Sequence, residues 1–470
     1  MTALLQATKG PTSANKKAKT AAGVGTSNGG LPVLRFEGHL HFRQRLLLAT
    51  LTGRGVRIDK IRENDDTHPG LADYEVSFLR LLEKVTNGSV VQISYTGTSV
   101  EYRPGVITGG RVAHDCGTTR GIGYYLEVLV VVGLFGKARL HATLTGVTNA
   151  NSDVGVDVVR TAVLPLVARF VDGAGDAKLR VVRRGAVPLG GGVVEFETAA
   201  VRRLRAVGVD ALGGGAAAGL GVRRIRGIAY ATRVSPQLAN RVVASARALL
   251  TRYIPDVFLY ADVYRGQEAG LSPGYGLSLV AETTSNVLYS AECDYQRPKN
   301  SVLTLNLKEG DDIPDFSLGQ NALDNDAPET TSASSAATAT TATQDGILAH
   351  LQNDYSFPTP EDLGIRAARL LLTEIRKGGS VDSVSQWLAI LLLALGPEDV
   401  AKLRLGSLTP FSVQLLRDIK TFLGVVFKIT QEQPVDDNID EETGRTKLSS
   451  LKGGIILTCV GCGYVNVNKN

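Results

Sequence analysis

Three charged side chains near the C-terminal end have the types and spacing for RNA chemistry. In GSLTPFSVQLLRDIKTFLG, Arg417, Asp418 and Lys420 lie within four positions. On a helix, Arg417 and Lys420 share a face and Asp418 is displaced by about 100°. Two such cations could hold a scissile phosphate and stabilise its developing charge. The carboxylate could serve as general base toward a 2′-hydroxyl if its pKa were raised. The same run also reads as a packing helix with Leu415, Leu416, Ile419 and Phe422 as its buried stripe.

Other chemistry is thinner. His39 and His41 would share a face of an extended segment, but no third ligand accompanies them, so no metal site is expected. Cys459 and Cys462 form a CxxC inside the apolar run IILTCVGCGYV, without a second pair, which reads as a strand end rather than a zinc site. The glycine clusters LGGG (189–192) and ALGGGAAAGLG (211–221) match neither GxxxxGK[ST] nor GxGxxG. Arg183 and Arg184, just ahead of LGGG, keep an anion site there open. Between residues 200 and 252 stand ten arginines against one acid, Asp210. An excess of that kind attracts polyanions. Arg223, Arg224 and Arg226, within that stretch, join Arg43 of the first helical run as candidates for contacting RNA or another anion.

The elements that must position these groups alternate along the chain. Helical runs at 42–53 and 73–86 and strands at 56–62 and 89–105 make a first unit, and the pattern returns at about 110–198. GIGYYLEVLVVVG could be helix or strand by periodicity alone. The expected fold class is α+β, with three repeated βα units, each a sheet with two helices, and a smaller inserted α/β domain. The expected boundaries are a disordered basic tail at 1–32, two units at 33–198, the insertion at 199–300 and a low-complexity loop at 301–355. A third unit follows at 356–430, and an acidic segment with a C-terminal strand at 431–470. The longest apolar run ends before Lys137, too short to span a membrane. Four scattered cysteines suit a reducing compartment.

The runs FEGHLHFRQRLLLATLTGRG, YRPGVITGG, TLTGVTNANSDVGVD, RRGAVPLGGGVVEF, SPGYGLSLVAE and PEDLGIRAARLLLTEI, in that order, resemble the RNA 3′-terminal phosphate cyclase family. The chain is most similar to that family's cyclase-like branch. In cyclases a histidine at the start of the third unit's last helix takes AMP from ATP. The resemblance places Phe411 there, and a phenyl ring has no lone pair to attack phosphorus. It also implies that the Gly-rich entry has become Glu37–His41, and that Glu127 stands for a glutamine. Bulk and negative charge both oppose a triphosphate, so no cofactor is expected. The implied role is a ribosome-biogenesis factor without cyclase activity, acting in early pre-rRNA processing toward the small-subunit rRNA. Its implied partners are a ribosome-assembly GTPase, pre-rRNA and U3 small nucleolar RNP components of the small-subunit processome. The implied place is the nucleolus. The alternatives are an endoribonuclease working through Arg417, Asp418 and Lys420, and an ATP-dependent cyclase with another nucleophile.

Overall fold

The chain builds its first two units by the same route. Strand β1 (Leu34–Glu37) leads into helix α1 (Phe42–Thr52), β2 (Val56–Asp59), α2 (Asp73–Val85), β3 (Val90–Ile93) and β4 (Val100–Arg103). The sheet order is β1-β2-β4-β3, with β1 and β2 parallel and the other pairs antiparallel. The second unit repeats this with β5 (Gly110–Asp115), α3 (Ile122–Leu134), β6 (Leu140–Gly146), a helix α4 over 156–168, β7 (Lys178–Arg183) and β8 (Gly192–Thr198), in the order β5-β6-β8-β7. These assignments come from a computed structural model that describes residues 32–171, 177–207, 221–295, 359–431, 454–467 and 469. The expected basic tail at 1–32, apart from Pro32, the expected low-complexity loop at 301–355 and residues 432–453 of the expected acidic segment lie outside the described residues, as does most of ALGGGAAAGLG.

Helix α4 has a π turn at Val159–Val163. Pro165 follows it and has no N–H to donate, which explains a shifted hydrogen-bond ladder there. The segment GIGYYLEVLVVVG is helical because it is buried on every side, from Ile122 to Leu134. An all-round apolar helix belongs in an interior. Helix α7 (Gln386–Leu395) is buried all round as well, and α1 is buried from Phe42 to Leu51 except at Arg43. One helix from each unit therefore fills the centre of the molecule.

The inserted domain has β9 (Val222–Thr232), α5 (Pro236–Leu250), β10 (Val257–Tyr264), β11 (Gly274–Thr283) and β12 (Leu288–Asp294) in the order β10-β9-β11-β12. Its own core joins Ile225, Leu259, Leu277 and Tyr289 to Leu363, Ala367, Ala368 and Leu371 of α6 (Pro360–Lys377). This departs from the expected boundaries. The helix anticipated at the start of the third unit covers the inserted sheet instead. Leu204 and Val207, expected in the insertion, pack in the main core.

The third unit runs α7, β13 (Val400–Leu405), α8 (Pro410–Leu423), β14 (Lys428–Gln431) and β15 (Ile455–Val460), with sheet order β13-β15-β14. Among the described residues, a single bridge, Gly379 to Leu405, stands where the other units have a first strand. Among the described residues, no helix is long and apolar enough to cross a membrane.

Candidate functional site

The three central helices meet at one cluster. Arg43, near the start of α1, places a guanidinium nitrogen 2.7 Å from Glu127 Oε2 on α3. The indole N–H of Trp387, near the start of α7, donates to Glu127 Oε1 at 3.0 Å. Arg43 also donates to the Tyr124 carbonyl at 2.7 Å and lies over the Tyr124 ring at 4.6 Å. Arg120 covers the same ring at 4.7 Å and is held in turn by both carboxylate oxygens of Asp153, at 3.1 and 2.9 Å. Both cations are thus neutralised by nearby carboxylates, and the cluster offers little net charge to a polyphosphate.

Phe411 closes this cluster. Thr409 caps helix α8 by accepting from Ser412 N–H at 3.1 Å, Pro410 takes the first helical position, and Gly424 ends the helix in the left-handed region. Gln386 fixes the turn ahead of the cap. Its amide donates to Ser407 O at 2.6 Å, and its oxygen accepts from Thr409 N–H and Ser412 Oγ. The turn so held stacks Phe411 on His41 with centroids 5.3 Å apart, and sets it edge-on to Trp387 at 6.5 Å. His41 has a left-handed backbone, φ 60°. Burial, and then the charge of Arg45, push its imidazole down to about 4, so it is neutral near pH 7.

The three residues of the sequence-predicted cleavage cluster are not brought together. Arg417 and Lys420 are exposed, whereas Asp418 is 2% exposed on the opposite, buried face of α8. Asp418 Oδ2 is 3.7 Å from Arg45 Nε, and Gln414 donates to its other oxygen at 3.0 Å. Burial raises its pKa while Arg45 opposes the rise. A carboxylate facing inward to Arg45 has no access to a 2′-hydroxyl held by Arg417 and Lys420.

The other anion candidates scatter. Arg183 is exposed and donates to Gln267 O at 2.9 Å. Arg184 is fully buried: it pairs with Asp157 at 2.6 and 3.2 Å, donates to Asn149 at 2.9 Å and lies between the rings of Tyr230 and Tyr264. It is a structural bolt between the second unit and the inserted domain, not an anion ligand. Arg223 and Arg224 share Glu282, and Arg226 takes Asp256, at 3.5, 2.6 and 2.8 Å. The Arg-rich stretch looked unbalanced because these partners lie downstream of residue 252. The LGGG run is a turn between β7 and β8, as expected. Cys459 is buried on β15 with its thiol pushed up to about 11 by burial. Among the described residues, no group of three or more His, Cys, Asp or Glu side chains is placed to hold a metal ion.

Sequence reasoning missed Gln386, Trp387, Arg120 and Asp153. A polar pair, Gln386–Trp387, opening an otherwise apolar helix was the available signal for the first two.

A sequence model of RNA 3′-terminal phosphate cyclase matches residues 34–429. A probable RNA 3′-terminal phosphate cyclase-like protein of Dictyostelium discoideum is 42% identical, covering 93% of this chain and 100% of the relative. The RNA 3′-terminal phosphate cyclase-like protein of Homo sapiens is 41% identical, covering 93% and 97%. The rRNA processing protein rcl1 of Schizosaccharomyces pombe is 39% identical over the same shares. With its paired βαβαββ units and a match over nearly all of its described length, this chain belongs to the RNA 3′-terminal phosphate cyclase family.

Proposed function

We propose that this protein is a ribosome-biogenesis factor for early pre-rRNA processing toward the small-subunit rRNA, and that it lacks RNA cyclase activity. The observation that carries the second half is Phe411, packed between His41 and Trp387 at the place where the family's nucleophile is expected. Around it, Glu127 takes up Arg43, which leaves that guanidinium little charge to offer a nucleotide, and the one imidazole beside Phe411, His41, is stacked against its ring. The first half rests on the relative named for rRNA processing and on those named cyclase-like. In this reading the protein acts in the nucleolus, within the small-subunit processome, with an assembly GTPase and U3 small nucleolar RNP components. An endoribonuclease reading has less support, since Asp418 faces Arg45.

Expression in Schizosaccharomyces pombe cells depleted of their rRNA processing protein tests the role: small-subunit rRNA precursors should stop accumulating. Incubation with radiolabelled ATP tests the chemistry, and a stable protein–AMP adduct would overturn it. A pull-down from nuclear extract that recovers neither a GTPase nor pre-rRNA would remove the assembly reading.

A further inference from the structure

The inserted sheet has two faces with different fates. One is covered by α5 and α6, over Leu259, Ala229, Leu277 and Tyr289. On the other, α4 packs against β11 and β12, where the Gly155 N–H at its start donates to Glu292 Oε1 at 2.7 Å. Arg184 covers Tyr264 at the far end of β10, and the start of β10 is uncovered. Two large aromatic side chains stand there, Phe258 at 57% and Tyr260 at 44% exposure, with ring centroids 6.2 Å apart and tilted by 38°. They are residues i and i+2 of an edge strand, so they project from one face. Arg226 is the register partner of Phe258 on β9, and Arg160 of α4 is the foremost charge acting on Tyr260. Arg160 pairs with Asp157 at 3.1 Å and Asp262 lies two residues beyond Tyr260, whereas Arg223, Arg224 and Arg226 share two carboxylates between them, so a modest positive excess of one lies toward the Phe258 end.

We infer that Phe258 and Tyr260, flanked by Arg226 and Arg160, form a binding platform for single-stranded RNA. The chemistry is base stacking on an open sheet, with guanidinium groups placed for the backbone phosphates. Neighbouring rings set side by side, rather than packed on each other, leave a face of each for successive bases. A peptide strand added to the β10 edge would use the same place. It would not need two aromatic rings or a positive excess, so RNA is the occupant favoured. The inference rests on the rRNA reading for its biological setting, but the platform is carried by the sheet alone.

The test uses the full chain and fluorescein-labelled 12-nucleotide oligouridylate and oligoadenylate, read by anisotropy. The paired variant Phe258→Ala/Tyr260→Ala should weaken binding at least tenfold. Tyr260→Phe, which keeps the ring, should bind within about twofold of the parent. Arg226→Ala should lower the slope of log affinity against log salt by about one. Both rings are exposed, so folding should be unaffected, and the melting temperature of each variant checks this. Unchanged affinity in the double alanine variant would overturn the platform, as would equal affinity for duplex RNA or binding of a β-strand peptide in place of RNA. If the double variant loses oligonucleotide binding yet still rescues precursor processing in the depleted cells, the platform stands and its role in the rRNA reading falls. If the platform fails but rescue by the parent succeeds, the rRNA reading stands without it.

Discussion

Phe411 is held by His41, Trp387 and a turn locked by Gln386, so restoring one nucleophile does not restore a site. Phe411→His is expected to give no protein–AMP adduct with radiolabelled ATP, because Glu127 still occupies Arg43 and the indole. Arg184 gives a second expectation. Arg184→Met leaves Asp157, at 0% exposure, with only Arg160 as a cationic partner at 3.1 Å and should cost up to about 3–5 kcal/mol in urea unfolding. Adding Asp157→Asn should return much of that loss, a coupling that two independent sites would not show. The sequence made part of this legible. Leu415, Asp418, Ile419 and Phe422 are spaced i, i+3, i+4 and i+7, so the apolar stripe itself puts Asp418 inside. Its partner Arg45 lies 373 positions away, beyond any local pattern.

Helices were readable as elements and less so as neighbours. The periodicity and Thr359 cap of Pro360–Lys377 define a helix, but chain order alone suggested the third unit. Its true surface is the inserted sheet and α5, although 65 positions separate its first residue, Pro360, from Tyr295 in the sequence. The contact with α5 is close. A Cβ at Gly364 would stand 2.1 Å from Ser245 Oγ and 2.5 Å from the Val242 carbonyl. Gly364→Ala should therefore destabilise the protein by about 1–3 kcal/mol. Ser245→Ala should relieve only part of it, because the Val242 carbonyl is backbone and stays. Calorimetric or urea unfolding of the two single variants and the double variant measures the difference.

The whole molecule is tied together at the junction of the second unit and the inserted domain, where Glu292 and Asp294 are buried with Asp157, Asp153, Tyr230 and Arg184. Burial raises both carboxyl groups above their ordinary range, and for Glu292 the neighbouring Asp294 adds to it. Raised folded-state values mean that the native state binds more protons than the unfolded chain. The contribution of these two groups to stability is then fullest below the unfolded carboxylate range, near about 4, and is lost as pH rises through the folded values. Asp294→Asn, which imitates the protonated acid, should flatten this decline between pH 5 and 8. A decline as steep as the parent's would count against Asp294 as its source.

Beyond that junction, the chain's last described residues fasten the first two units. Tyr464 donates to Leu51 O at 2.8 Å, and Asn466 donates to Gly136 O at 2.9 Å. Just before them, β15 lies between β13 and β14. The middle strand of the third sheet is thus the last of its three strands to be synthesised. During translation β13 and β14 must wait, without a common neighbour, until β15 has been made. A premature stop anywhere before Ile455 removes the centre of that sheet and both fastenings together. Such truncated products should be cleared by chaperones and proteases rather than accumulate as partly working protein.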